Sequence, residues 1–406
     1  MKFLFVHQNF PGQYLHIVRH LQANPAHDVV FITEPNANFM VGVRRVVYEV
    51  GRTPRTDIHP TMKEAEFAAH RADKVADAAR QLKALGYYPD IIIGHHGWGE
   101  LLNLVDVWPG VPMLGYFEFF YHTSGYDVNY DPEFPMAENF QPGVRSLNMI
   151  NHMALALDQH GQTPTRFQRE AYPLWAQDKI KLLPEGARLD TCKPDPAART
   201  QPLTIGDFTV QPGDRLITYV ARNLEPYRGF HTMARALPRI LAERPDAKVV
   251  MVGGDEVSYG PRLVNNSWKN LFLREIEGKY DASRVHFPGQ VPFDMFVRLL
   301  QRSDLHVYLS YPFVASWSLR DALACGCALV ASDVEPVREF ITDGVNGVLT
   351  PTLDPAKLSE TVLALLENPK RAQKLRRGAR AFAEANLSIE RHIAAFEARI
   401  AELTGG

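Results

Sequence analysis

Three cysteines in 406 residues are too few for a disulfide framework. Cys325 and Cys327 stand one residue apart, a spacing that suits neither a CxxC redox pair nor a zinc knuckle. With Cys192 they read as buried free thiols of a reducing compartment. Charge of one sign is lacking as well. The 44 Lys and Arg against 46 Asp and Glu leave a formal net charge of −2, so nucleic acid is not expected as a partner and any basic site must be local. No apolar run approaches the ~20 residues that span a bilayer. The opening run Met1 to Val6 is too short for the apolar core of a signal peptide. A cytoplasmic location is therefore expected, with peripheral membrane contact at the inner face left open; the oligomeric state is also open.

What is present is apolar material for two cores. The chain is 46% hydrophobic and 22% charged, and its length suits two domains at about 100–200 residues each. Apolar runs alternate with helical patterns. KFLFV, a turn at Pro11-Gly12, a helix over about Tyr14 to Leu21, and HDVVFIT read as strand–helix–strand. A long helix over about Met62 to Leu85 precedes the strand Ile91 to Ile93, and Val111 to Phe117 reads as a further strand. Continuous rather than alternating apolar runs suit strands buried on both faces, which is the signature of a parallel sheet between helices.

Between about Pro184 and Gly213 the rhythm falters in a stretch rich in Pro, Asp and Ala, where an inter-domain linker is expected. The alternation then restarts with LITYV, a helix over His231 to Ala242, KVVMV, RVHF, a helix over Phe293 to Gln301, LHVYLS, a helix over Ser318 to Ala324, and ALVAS. A last helix is expected over Ser388 to Leu403. The fold class is α/β, with two doubly wound domains in tandem and a cleft between them. Ligands of such sheets bind beyond the carboxyl ends of the strands.

Four constellations stand at such ends. Arg222 and Arg228 flank a turn directly after LITYV, and their planar, permanently charged donors suit a diphosphate. The alternative is that each pairs with Glu225 or another carboxylate. Tyr311 to Gly326 runs from a strand through a loop into a helix. Backbone groups at Val314, Ala315 and Ser316 could cradle phosphate there, and Asp321 could accept hydrogen bonds from a ribose diol. The alternative is helix capping by Ser316 or Ser318 and a dipole role for Asp321. Gly253-Gly254-Asp255 is a tight turn that permits close backbone approach, and the glycines near Asp343-Gly344-Val345-Asn346-Gly347 read as turn residues.

Taken in order and spacing, these pieces resemble the retaining GT-B glycosyltransferases of family 4, glycosyl transferases group 1. Ala221-Arg222…Arg228-Gly229 resembles the family's Gly-Arg…Lys-Gly segment, and Asp321-Ala322-Leu323-Ala324-Cys325-Gly326 resembles the end of its E-x7-E segment. Val285-His286-Phe287-Pro288-Gly289, Asp304 before a strand, and the 343–347 run are similar too. FVHQNFPGQ resembles the first strand and glycine loop, and the segments Pro164 to Leu174 and Leu183 to Gly186 resemble the approach to the linker. Two departures stand out. Phe313 occupies the position of the first glutamate, and Asp321 that of the second, one methylene shorter.

The resemblance implies two Rossmann-like domains facing a cleft: residues 1–195 on the acceptor side, residues 196–385 on the donor side, and a terminal helix over 386–406 crossing back to the first. It implies a metal-independent, retaining transfer of a hexose from a nucleotide diphosphate sugar, a UDP-sugar or GDP-sugar, to a glycan, glycolipid or small-molecule acceptor. Arg222 and Arg228 would steady the departing diphosphate, Asp321 would hold the ribose, and Gly12 and Gly253 would let backbone approach the donor. A nucleotide-sugar isomerase and a non-catalytic nucleotide-sugar binder are the alternatives.

In the N-terminal half, His95 and His96 follow the strand IIIG, at an edge where an acceptor or sugar would sit. Adjacent residues of an extended chain point to opposite faces, so the two are not expected to share a metal. The alternative for either is a packing histidine. The resemblance places a histidine near the reacting sugar in the next such loop. Here Glu118 stands there, with His122 one turn on if the loop is helical. A carboxylate there could steady charge at the anomeric carbon or orient the acceptor hydroxyl. The Tyr121 to Tyr130 cluster, with Asp127 and Asp131, reads as an acceptor loop. Arg44, Arg45, Arg52 and Arg55 read as a basic face, solvated or facing an anionic acceptor or lipid head group.

Overall fold

The computed structural model describes residues 1–51, 57–157 and 160–405; Arg52 and Arg55 lie outside them. The chain divides into two units, Met1–Glu185 together with the segment from Glu390 onward, and Gly186–Ile389.

The first unit is built on β1 (Lys2–Val6), α1 (Leu15–Gln22), β2 (Asp28–Thr33), β3 (Arg44–Val47), α2 (Lys63–Ala84), β4 (Ile91–His95), α3 (Leu104–Val107), β5 (Met113–Tyr116), α4 (Gln141–Ala156), β6 (His160–Thr163), α5 (Arg166–Glu170), α6 (Leu174–Gln177) and β7 (Ile180–Leu182). The strands form one parallel sheet in the order β3-β2-β1-β4-β5-β6-β7. Alternation along β1 sends Phe3 and Phe5 to one face, against Ile17, Leu21, Phe396 and Ile400, and Leu4 and Val6 to the other, against Val75, Ala79 and Leu82. Both faces are dry, which is why the run is continuously apolar.

The second unit holds β8 (Leu203–Ile205), β9 (Phe208–Val210), β10 (Arg215–Asn223), α7 (Phe230–Glu243), β11 (Ala247–Gly254), α8 (Trp268–Glu275), β12 (Val285–Gly289), α9 (Phe293–Arg302), β13 (Leu305–Tyr308), α10 (Trp317–Ala324), β14 (Leu329–Ser332), α11 (Glu335–Arg338), β15 (Val348–Thr350), α12 (Pro355–Leu366) and α13 (Pro369–Asn386). Its parallel sheet runs β12-β11-β10-β13-β14-β15. The last helix, α14 (Ile389–Thr404), buries Phe396 and Ile400 in the first unit's core, and its Glu397 meets His20 at 2.7 Å. In each sheet the strand order reverses once, between β1 and β4 and between β10 and β13. Loops splay apart at such a reversal and leave a crevice at the strands' carboxyl ends.

Several elements differ from the sequence reading. The first unit ends at Glu185, ten residues before 195, because the following turn belongs to the second: Arg380 Nη1 donates to Cys192 O at 2.9 Å, and Ala187 N–H donates to Leu387 O at 2.7 Å. The stretch read as irregular contains the β8–β9 hairpin, whose Leu203, Ile205 and Val210 are buried against Leu216 and Val250. Residues 117–122 are not helical. Arg44 is paired with Asp28 at 2.7 Å, and Arg45 donates to Asn36 O at 3.2 Å with its guanidinium over Phe10, so both are spoken for locally.

Candidate functional site

In the second unit the crevice between β10 and β13 is lined by three loops. β10 ends at Asn223, and a single turn, Pro226–Arg228, leads to Gly229 and α7. Gly229 has φ +65°, and a Cβ there would fall 2.5 Å from Leu309 Cβ, so only glycine fits this corner. The corner presses Arg228 into the crevice at 7% exposure. Its Nη1 donates to Ser310 Oγ at 3.0 Å and to Val314 O at 3.2 Å, and its guanidinium lies 5.1 Å from the Tyr259 ring centroid. Arg222, at the end of the same strand, is exposed and forms no ion pair or hydrogen bond among the described residues.

Neither arginine is consumed by an ion pair with Glu225. That carboxylate is fully buried, and its Oε2 accepts from Ser258 N–H at 2.8 Å and Tyr259 N–H at 3.2 Å. Burial pushes its pKa up to about 7, against the two N–H bonds and the nearby Arg228 and Arg222 charges. Gly253 has a packing reason of its own: a Cβ would meet Leu224 Cδ2 at 2.8 Å and Ala221 O at 3.0 Å.

Around the loop after β13, Phe313 is 4% exposed and lies edge-on to Tyr259 and Tyr227, at 4.9 and 6.2 Å between centroids. The position where the resemblance places a glutamate is thus an aromatic wall of the Arg228 crevice. Val314 N–H and Ala315 N–H donate to no acceptor among the described residues. Ser316 N–H is instead taken by the Tyr308 hydroxyl at 2.9 Å, which corrects the expectation of a free donor there. The Ser316 side chain, bonded to Ser318 Oγ at 2.6 Å, does not cap α10. Asp321 is half-buried. Cys192 Sγ donates to its Oδ1 at 3.5 Å, and burial raises its pKa to about 6, partly countered by that bond and by Arg320 and Arg188.

In the first unit the crevice between β1 and β4 gathers two histidines and two glutamates. His95 is 3% exposed, and its Nδ1 accepts Gly97 N–H at 2.9 Å, which leaves the ring proton on Nε2. That nitrogen faces Glu118 Oε2 at 3.4 Å, and Glu118 keeps about a third of its side chain in solvent. Gln168 Nε2 donates to Glu118 O at 2.8 Å and anchors the loop. His7 lies edge-on to His95 at 5.6 Å, and burial, then the nearby His95 ring, push its pKa down to about 3. Gly12, at φ +56°, is forced by His7: a Cβ would lie 2.9 Å from His7 Nδ1. Glu100 is wholly buried, accepts Gln8 N–H at 3.0 Å, and has its pKa raised by burial.

Two of the expected acceptor-side histidines are placed elsewhere. His96 has no exposure and packs 4.7 Å from Phe117, in space that Gly115 opens by lacking a Cβ. Neighbours in a strand face opposite ways, so the strand that offers His95 to the crevice must bury His96. His122 stacks on Tyr126 at 4.2 Å, and its Nε2 meets Ala171 O at 2.7 Å, which turns it into an aromatic cluster rather than toward Glu118. His7, Glu100 and Tyr259 escaped sequence reasoning, and Glu225 entered it only as a possible ion-pair partner of the arginines. His7 carried one usable signal, an ionisable residue directly after a buried strand.

Two family models match the chain, the glycosyl transferase family 4 group over residues 25–192 and the glycosyl transferases group 1 over residues 205–382. The chain belongs to the group 1 glycosyltransferases. An uncharacterised glycosyltransferase of Methanocaldococcus jannaschii is 30% identical over 156 residues, 37% of this chain and 36% of that protein. A phosphatidyl-myo-inositol mannosyltransferase of Mycolicibacterium smegmatis is 30% identical over 159 residues, 38% of this chain and 36% of that one. The matches thus span little more than a third of the length of these relatives. Among solved structures, sucrose-phosphate synthase from Thermosynechococcus elongatus superposes with a TM-score of 0.76 at 17% identity, covering 100% of this chain and 99% of that one. Anabaena HepE in complex with UDP-glucose gives 0.70 at 15% identity, covering 99% of this chain and all of the other. These likenesses show the fold, which is GT-B.

Proposed function

We propose that this group 1 glycosyltransferase moves a hexose from a nucleotide diphosphate sugar to a carbohydrate or lipid-linked acceptor, with retention and without a metal. The observation that carries the reading is Arg228, a buried guanidinium fixed at the switch point of the second sheet, with the unpaired Arg222 on the same strand end. A desolvated, pre-oriented cation is what a departing diphosphate needs as the glycosidic bond breaks. The charge that develops there is borne by these two arginines and by the free N–H groups of Val314 and Ala315. Asp321 Oδ2, which accepts no hydrogen bond among the described residues, is the oxygen for a ribose hydroxyl. Glu118, held against the Nε2–H of His95, would orient the acceptor hydroxyl or steady the anomeric carbon. Retention follows the family resemblance, with the acceptor attacking on the face the diphosphate leaves.

The solved complexes of HepE with UDP and with UDP-glucose make UDP-hexoses the first donors to try. The test is release of free nucleoside diphosphate from a panel of UDP- and GDP-hexoses, with and without sugar and glycolipid acceptors. Acceptor-dependent release supports transfer. Donor conversion with no acceptor points to an isomerase. Tight donor binding with neither favours a non-catalytic binder, the reading that the buried Phe313 supports.

A further inference from the structure

Beyond the groups that would touch the donor, a second layer determines which way Arg228 points. We propose that Glu225 is a positioning residue that ties the loop after β11 to the end of β10 and so holds the Tyr259 ring over the Arg228 guanidinium. The inference rests on the reading of Arg228 as the diphosphate ligand.

Three loops meet at Arg228. The loop after β13 supplies two acceptors, Ser310 Oγ and Val314 O, both on Nη1. The turn after β10 carries the arginine itself. The loop after β11 supplies the Tyr259 ring, whose centroid lies 5.1 Å from the guanidinium carbon. A cation over an aromatic face is attracted by the ring's quadrupole, more so when water is excluded. The same ring meets Phe313 edge-on at 4.9 Å and stacks on Tyr227 at 6.0 Å.

What holds the backbone beneath the ring is Glu225. Its Oε2 takes both the Ser258 and Tyr259 N–H groups, and Asn223 Nδ2 donates to Ser258 Oγ at 2.7 Å. Two side chains from the end of β10 thus clamp one short stretch of the neighbouring loop. Gly260, at φ +82°, turns the chain directly afterwards, and a Cβ there would come within 3.1 Å of Tyr227. Residue 225 also shapes the arginine's own turn, since Arg228 N–H donates to Glu225 O at 3.1 Å. A fully buried carboxylate is costly to keep, and two backbone donors from another loop are what make it worth more than an apolar side chain.

The test compares the parent with Glu225→Ala, Glu225→Gln and Tyr259→Ala. Titration calorimetry with UDP and with uridine gives the effect on phosphate binding, and trypsin cleavage after the exposed Arg262 reports on the loop independently of any ligand. Glu225→Ala is expected to weaken UDP about tenfold and leave uridine unchanged, with faster cleavage at Arg262. Gln keeps an acceptor oxygen, so Glu225→Gln should restore both readouts. Tyr259→Ala should weaken UDP alone. Parent-like UDP affinity in Glu225→Ala, or equal losses of UDP and uridine, would overturn the proposal. A parent that binds neither UDP, GDP nor ADP would sink the diphosphate reading instead. The cleavage arm would then still decide the clamp: an Arg262 site no more accessible in Glu225→Ala than in the parent refutes it.

Discussion

Removing the Arg228 guanidinium is the perturbation whose consequences are best determined by the structure. Its Nη1 makes two hydrogen bonds, at 3.0 Å to Ser310 Oγ and 3.2 Å to Val314 O, and the group is 7% exposed. Bonds to a charged donor are worth about 1.5–3 kcal/mol each, but truncation also relieves the cost of burying the charge. The net loss of stability in Arg228→Ala should be on the order of 1–2 kcal/mol, a fall of about 2–4 °C per kcal/mol in the second unit's melting temperature. Ligand binding carries no such compensation. Deleting one partner of a desolvated charge pair costs about 2–5 kcal/mol, or roughly 30-fold to several-thousand-fold in Kd. Arg228→Lys keeps the charge and loses the fork, and should fall between, about tenfold weaker than the parent. Calorimetric titration with UDP, GDP and ADP measures both variants, and thermal unfolding confirms that each is folded. A folded Arg228→Ala that binds the preferred diphosphate within a factor of about two of the parent would refute the assignment.

Arg222 is exposed, so Arg222→Ala should leave the melting temperature unchanged while weakening the diphosphate at least about tenfold, a separation of effects that Arg228 cannot show. Glu118→Gln should lower turnover by about a hundredfold or more with nucleotide affinity intact, measured as kcat and donor Kd separately. Glu225 and Asp321 are held up to about 7 and about 6 from ordinary values of 4.5 and 3.8. The folded chain therefore binds more protons than the unfolded one between those limits. Their stabilising contribution is full below the ordinary values and is lost as pH rises through 6 to 7. Urea unfolding across that range should show stability falling with pH, and Glu225→Gln should flatten the upper part of the curve. Gly115→Ala would place a Cβ 2.0 Å from His96 Cδ2 and should cost about 1–3 kcal/mol in urea unfolding, much of it recovered by adding His96→Ala.

Which residues the sequence exposes and which it hides follows from the range of the forces involved. The alternation of apolar runs and helices is a local pattern, so β1, β2, β4, β10, β11 and β13 can all be read from windows of a few residues. β6 and β7 could not: His160-Gly-Gln-Thr and Ile-Lys-Leu are short, partly polar strands that exist because β5 offers an edge to β6 and β6 in turn offers one to β7. Arg222 and Arg228 were legible as a pair because they flank the turn that follows one strand, six residues apart.

By itself, the sequence determined the α/β class and the positions of most strands; that Phe313 stands where a glutamate belongs is what the family resemblance implies. The sequence also determined that His95 and His96 must part company, since a strand has two faces. Only the tertiary structure decided which histidine reaches the crevice, because that depends on the side from which β5 and Gly115 close over the other. The same is true of Asp321 and Cys192, separated by 129 residues yet 3.5 Å apart, and of Glu225 clamping Ser258 and Tyr259. Those contacts join segments that only the folded arrangement brings side by side. Strand order is set by pairing over the whole chain, which no local pattern records.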